Sequence, residues 1–167
     1  QTGLGLTGKM WAYQHYGIVP DMIAFGKKTQ VCGFCSTNRI DEVKNNVFKQ
    51  SSRINSTWGG NNVDMLRFIA ISAAIRDRSL VANAAVQGNY LVNELRQLKR
   101  ISNVRGLGMM IAFDLDNEMG RNNVMDRLKK NCTILPCGEK SIRLRPHLTF
   151  SEGDADVAIG LIKTALG

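Results

Sequence analysis

The sequence predicts an α/β chain: short apolar strands behind an aromatic helix, then two long helices, then a smaller α+β unit. Three observations predict it. Two short apolar runs, Asp21–Phe25 and Val31–Cys35, are joined by a polar turn and follow a helix-compatible stretch. Apolar residues then recur every three or four positions between Leu66 and Leu98. Beyond residue 100 short strands alternate with short helices.

The bulk properties narrow the function classes. A chain of 167 residues makes one domain, or one domain with a fragment of another. Its 44% apolar and 22% charged residues are ordinary for a globular protein. No apolar run approaches a membrane span and no signal-peptide pattern opens the chain, so a cytoplasmic location is the default expectation. The four cysteines form Cys32-x-x-Cys35 and Cys132-x-x-x-x-Cys137. The second spacing is loose for zinc, and VCGFCS reads as a buried strand end, so reduced structural thiols are expected and no metal. The net charge of +8 is the one unusual property. Its densest runs, Arg96-x-x-Lys99-Arg100 and Arg127-x-Lys129-Lys130, end helix-like segments, where cations complement the helix dipole. Without aromatic interleaving they do not favour nucleic acid, while an anionic ligand remains open.

Element by element, Lys9–Tyr16 reads as an aromatic helix closed by Gly17 and Pro20, and Asp21–Phe25 as a short buried strand ending at Gly26. Val31–Cys35 is the second strand, and residues 38–56 a polar loop with about one helical turn. That loop runs through Thr57-Trp58-Gly59-Gly60-Asn61 into a helix with Leu66, Ile69, Ala70 and Ala73 on one face. After a break at Asp77–Ser79 a second helix carries Leu80, Ala84, Gln87, Leu91, Leu95 and Leu98. Val104–Asp114 reads as one strand with glycines at its start. A short helix around Val124 and Leu128 follows, then strands Thr133–Leu135 and Ser141–Arg145. Ser151 caps the last helix, with Glu152 and Asp154 in its first turn.

The chemistry-bearing residues are individually ambiguous. The opening QTGLGLTG contains the Gly-x-Gly-x-x-Gly spacing of a dinucleotide loop, but that fingerprint needs a preceding strand. Because the chain starts without Met two residues earlier, its start is expected to be a cut. Lys27 follows a strand through a glycine; such a lysine forms an imine with a carbonyl cofactor when burial lowers its pKa, or is simply solvated. Thr57 stands before a helix start, where a hydroxyl and free N–H groups suit a phosphate or merely cap the helix. Arg143 and Arg145 are expected on opposite faces of their strand, one free to fork onto a carboxylate. His15 and His147 have no sequence-adjacent catalytic partner, and solvated or packing roles are expected of both.

Taken in order, three stretches add a family resemblance. QTGLGLTGKMWAYQHYGIVPDMIAFGKKTQVCG resembles part of the class III pyridoxal-phosphate-dependent aminotransferases. NVFKQSSRINSTWGGNNVDMLRF and SIRLRPHLTFSE resemble that family's cofactor-phosphate loop and carboxylate-binding strand. The resemblance covers essentially the whole chain. It implies the rear part of a fold-type I large domain (residues 1–62), connecting helices (63–100) and the small C-terminal domain (101–167). It also implies that the glycine-rich opening lies just past a strand ending in Asp-Glu-Val and is no dinucleotide loop.

By the same resemblance, Lys27 is the Schiff-base lysine that binds pyridoxal 5'-phosphate and shuttles the substrate proton. Gln1 hydrogen-bonds the pyridoxal 3-oxygen, and Thr57 reaches the phosphate across a homodimer interface. Arg143, rather than Arg145, takes the substrate carboxylate, with Asn55 a secondary candidate on the substrate side. His147 departs from the family's usual second proline. AFGKKTQVCG with RINSTWGGN is most similar to members that move the terminal amine of L-lysine to 2-oxoglutarate. The ring-nitrogen aspartate, the glycine-rich phosphate cradle and the stacking aromatic belong upstream, so these residues alone are not expected to turn over. Two other readings stand beside this one: a non-catalytic remnant serving as a structural or interaction module, and a basic nucleic-acid-binding protein.

Overall fold

A computed structural model describes every residue except Asn55, Ser56 and Trp58. Helices and sheets mix along it, as expected of an α/β chain. The opening is a run of turns, and the expected helix over Lys9–Tyr16 shrinks to one 3-10 turn, Ala12–His15. Gly8 (φ 81°) and Gly17 (φ 66°) bracket it in the left-handed region. The half-buried His15 ring ties it back to the preceding loop, with Nε2 at 3.0 Å from Thr7 O and 3.1 Å from Thr7 Oγ1.

Strands β1 (Met22–Phe25) and β2 (Gly33–Ser36) form an antiparallel pair in the register Met22↔Ser36 to Phe25↔Gly33. Neither is buried, contrary to expectation, and Cys32 and Cys35 are exposed free thiols. The reason is geometric: a two-stranded sheet buries a face only against another layer, and no further sheet or long helix among the described residues covers this pair. Past a 3-10 turn at Asn38–Glu42, the buried Asn46 organises the polar loop. Its Nδ2 donates to Ile40 O and Val43 O, and its Oδ1 accepts from Phe48 N.

Helix α1 (Asn62–Asp77) is capped by Asn61, whose Oδ1 accepts from Val63 N at 2.9 Å. The expected apolar face exists but points outward: Leu66 is 67% exposed and Ile69 64%, while Ile75 is the buried residue of the helix. Helix α2 (Leu80–Arg96) buries Ala84, Leu91 and Leu95 from the expected stripe, together with Gly88 and Val92.

The span expected as a single strand over Val104–Asp114 is a hairpin, β3 (Ser102–Leu107) and β4 (Met110–Asp114), because Gly108 (φ 53°) reverses the chain. Helix α3 (Glu118–Leu128) follows, then β5 (Leu135–Cys137) and β6 (Ser141–Leu144), and finally α4 (Glu152–Leu166). Strand β5 lies two residues beyond its expected position because it takes its register from β6, with Leu135↔Arg143 and Cys137↔Ser141. The sheet order is β3-β4-β6-β5, antiparallel throughout. Phe113 and Ile142 from the sheet meet Leu91, Leu95, Leu128 and Ile159 from α2, α3 and α4 in the main core.

One arginine from each dense basic run serves α4. Its start carries the expected cap, with Ser151 Oγ and the Asp154 carboxylate bonding each other's backbone N–H. At its end Arg127 donates to Ala165 O at 2.8 Å, and Arg100 donates to Leu166 O and Gly167 O. These guanidiniums satisfy the carbonyls that a helix leaves open at its last turn.

A glycine seam joins the opening turns to this unit. A Cβ on Gly88 of α2 would stand 2.1 Å from Gly108 O, and one on Gly108 2.5 Å from the Thr7 carbonyl carbon. Gly8 likewise leaves room for Ala85, and Met109 N donates to Leu6 O at 2.8 Å. The glycines of the Gly-x-Gly-x-x-Gly stretch therefore serve close packing on α2 and on Trp11. Replacing Gly88 with Ala should destabilise the chain by about 3 kcal/mol, since backbone rather than a flexible side chain blocks the methyl; thermal melts check this.

Within the small sheet the buried Asp114 gathers three donors. Ser141 Oγ donates at 2.5 Å, Asn103 Nδ2 at 2.9 Å and Arg105 Nη1 at 2.8 Å. Asn103 reaches it from an irregularity in β3, where it adopts φ 48°. The Ser141 hydroxyl first, then Asn103 and Arg105, hold the carboxyl well below the usual carboxylate range against the opposing pull of burial. A folded value below the unfolded one gives stability that is complete above the unfolded value of about 3.9 and is lost as pH falls through the folded one. Asp114→Asn should cost about 2 kcal/mol at neutral pH and flatten the acid limb of a melting-temperature profile.

Candidate functional site

The loop between β1 and β2 presents two adjacent lysines. Thr29 is buried and donates from Oγ1 to Val31 O at 2.5 Å, while Gln30 returns to Lys27 O through both its backbone N and its Nε2. Between these anchors Lys27 is held at φ 54°, a left-handed conformation uncommon for a side-chain-bearing residue. Such strain persists where surrounding structure enforces it, and it concentrates at functional sites. The Lys27 side chain is exposed, with no ion pair among the described residues.

Lys27 and Lys28 border a cleft of about 350 Å³ together with Arg145, His147, Ile71 and Ile75. A second recess, of about 220 Å³, lies against it and is lined by Gln1, Trp11, Tyr13, Phe25, Gly26 and Lys28. The Lys28 ammonium is lowered to about 8, by burial first and then by the Arg145 and Lys27 charges. The two recesses share Leu4 and Lys28, and Arg145 on the first grips Gln1 on the second: Nη1 donates to Gln1 Oε1 and Nη2 to Gln1 O, both at 2.9 Å.

The structure thus brings Gln1, Lys27, Lys28 and Arg145 together. Arg143 does not join them. It borders a groove of about 370 Å³ with Leu91, Ile134, Leu135, Phe150 and Ala158, and its Nε is buried without a partner among the described residues. The expectation that Arg143 and Arg145 face opposite ways fails, since residues two apart on a strand share a face, and both border this groove. Thr57 is exposed in a turn and borders none of these recesses. Asn55 lies outside the described residues. His147 Nδ1 is 2.9 Å from Thr149 Oγ1, its ring edge-on to Phe150. Sequence reasoning gave Lys28 no role and weighed Arg145 only as a carboxylate ligand; the adjacent lysine pair was visible, but nothing local tied Arg145 to a residue 144 positions away.

The donor set suits an anionic aromatic carbonyl compound: a lysine amine to bond it, an amide and further cations to meet its oxygens. No group of three or more His, Cys, Asp or Glu among the described residues could hold a metal. No described helix is long and apolar enough to cross a membrane.

Comparison with known proteins defines the class. The family model for class-III aminotransferases matches residues 1–166. The chain belongs to the class III aminotransferase family, whose members use pyridoxal phosphate. It is 44% identical to an L-lysine-epsilon aminotransferase of Mycobacterium bovis over 99% of its own length. It is also 36% identical to a 4-aminobutyrate aminotransferase of Kluyveromyces lactis over its whole length. These matches span only 38% and 36% of the relatives' lengths. Among solved structures, a lysine aminotransferase from M. tuberculosis in the internal aldimine form superposes with a TM-score of 0.93 at 42% identity, covering 99% of this chain and 40% of that one.

The Lys28 environment yields a direct check. By NMR its ε-carbon should titrate with a midpoint near pH 8, and Arg145→Ala should move that midpoint upward by removing a neighbouring positive charge.

Proposed function

We propose that this chain supplies the C-terminal portion of a cytoplasmic aminotransferase that moves the terminal amine of L-lysine to 2-oxoglutarate. The observation that carries this is the strained Lys27, unpaired among the described residues, in a cationic cleft whose Arg145 holds Gln1. The similarity to L-lysine-epsilon aminotransferases over 99% of the chain supports the choice of donor.

Pyridoxal phosphate, when bound, supplies the electron sink that lets an amine leave its carbon as a carbonyl forms. Lys27 Nζ would hold that group covalently and, when free, would move the proton between the substrate carbon and the cofactor carbon on either side of the shared nitrogen. Gln1 addresses the pyridoxal 3-oxygen. Lys28 and Arg145 keep the surrounding potential positive, which favours anionic ligands. For the substrate carboxylate, Arg143 is the better candidate of the two arginines. Among the described residues its buried Nε lacks a partner, whereas the fork of Arg145 is occupied by Gln1.

The bare apolar face of α1, including Leu66 and Ile69, and the uncovered β1–β2 pair are surfaces for the rest of a larger homodimeric enzyme. In that dimer Thr57 reaches a cofactor phosphate across the interface. The chain alone is not expected to turn over.

Borohydride reduction after incubation with pyridoxal phosphate tests the reading by mass spectrometry. Lys27 should carry the label selectively, although Lys28, with its pKa lowered to about 8 by burial, is a competing amine in the same cleft. Lys27→Ala should remove that label. Labelling at Lys28, or diffuse labelling over many lysines, contradicts the assignment.

A further inference from the structure

We propose that Arg145 is the positioning residue for Gln1, fixing which end of its carboxamide is offered to the cofactor. The inference rests on the reading of Gln1 as the partner of the pyridoxal 3-oxygen.

A glutamine amide has an acceptor end and a donor end of nearly equal shape, and unconstrained it turns either way. A guanidinium carries donors only, so the end that meets it has to be the oxygen. Arg145 Nη1 takes Gln1 Oε1 while Nη2 takes the Gln1 main-chain O, both at 2.9 Å. The second bond fixes the fork relative to the backbone, so side chain and main chain are oriented together. The Gln1 Nε2 end is left as a donor, with no protein acceptor among the described residues. A pyridoxal 3-oxygen is an anionic acceptor and requires a donor of this kind.

Charge alone does not reproduce the arrangement. Lys27 and Lys28 already place ammonium groups around the cleft, and His147 borders it as well. A lysine at position 145 would keep the charge but act as a point donor, without the planar fork that spans both oxygens. Arg145 also directly follows β6, which carries Arg143. One segment of the small sheet therefore holds the cofactor-side amide and carries the candidate carboxylate ligand.

Two readouts test the proposal with Arg145→Ala, Arg145→Lys, Gln1→Ala and the double alanine variant, with circular dichroism to check folding. In the cofactor-free chain, the Gln1 side-chain amide should give a well-separated, slowly exchanging pair of NMR signals. Both Arg145 variants should collapse that pair to free-glutamine positions; unchanged signals overturn the proposal.

In the protein loaded with pyridoxal phosphate, Gln1→Ala should raise the pH midpoint of the cofactor's visible band by about one unit, because an unsupported 3-oxygen holds the shared proton more tightly. Arg145→Ala and Arg145→Lys should raise it equally, and the double variant no further. A wild-type midpoint in Arg145→Ala, a wild-type midpoint in Arg145→Lys, or additive shifts in the double variant would each overturn the positioning role. Gln1→Ala without a shift removes the Gln1 reading and this inference with it, while borohydride label at Lys27 then still supports the lysine assignment. Failure to take up cofactor at Lys27 removes the function reading and this inference together.

Discussion

The structure depends on the close approach of Gly88 to Gly108. Helix α2 meets the β3–β4 turn where a single methyl group would collide with a backbone oxygen, and that turn lies against the backbone of Leu6, Thr7 and Gly8. Three chain segments far apart in sequence are thereby stacked without intervening side chains. Interiors packed to this density transmit displacement rather than absorb it. The position of Gln1, a few residues before the seam, thus follows from the position of the small sheet. The Arg145 fork closes the same connection from the other side.

This arrangement gives the glycine-rich opening a different physical meaning from its sequence pattern. In a dinucleotide loop the glycines admit a pyrophosphate. Here Gly3 admits the Trp11 ring, Gly5 admits Val81 and Gly8 admits Ala85. The residue type answers the same demand, closeness without a side chain, but the visitor is protein. The cations divide in a similar way. Arg100 and Arg127 are spent on the end of α4, whereas Lys27, Lys28 and Arg145 surround a cleft with no described ion pair to neutralise them. The second group gives the basic composition a functional reading.

Much of the fold was legible because local pattern determines it. The stripe of α2 and the Ser151 cap follow from spacing and capping chemistry, whereas the α1 cap is Asn61 and not Thr57, the hydroxyl the sequence offered. The errors lie where distant chain decides. Gly108 turns one expected strand into two, the β6 register displaces β5, and β1 and β2 remain bare because no layer among the described residues covers them. At the site, Lys27 stood out through the family resemblance, and the structure adds its strained backbone. Arg145 was read as the spare arginine because its partner is the first residue of the chain. A contact of that sequence separation leaves no periodicity to read.

The central claim is that the opening turns and the small sheet form one mechanical unit through the glycine seam. Hydrogen exchange read by mass spectrometry tests it directly, at the Met109 amide that donates to Leu6 O and at the backbone amides of residues 5–8. These amides should exchange as slowly as the Phe113 strand at the centre of the core, opening only with it. Exchange of the opening segment within seconds, while Phe113 stays protected, would contradict it.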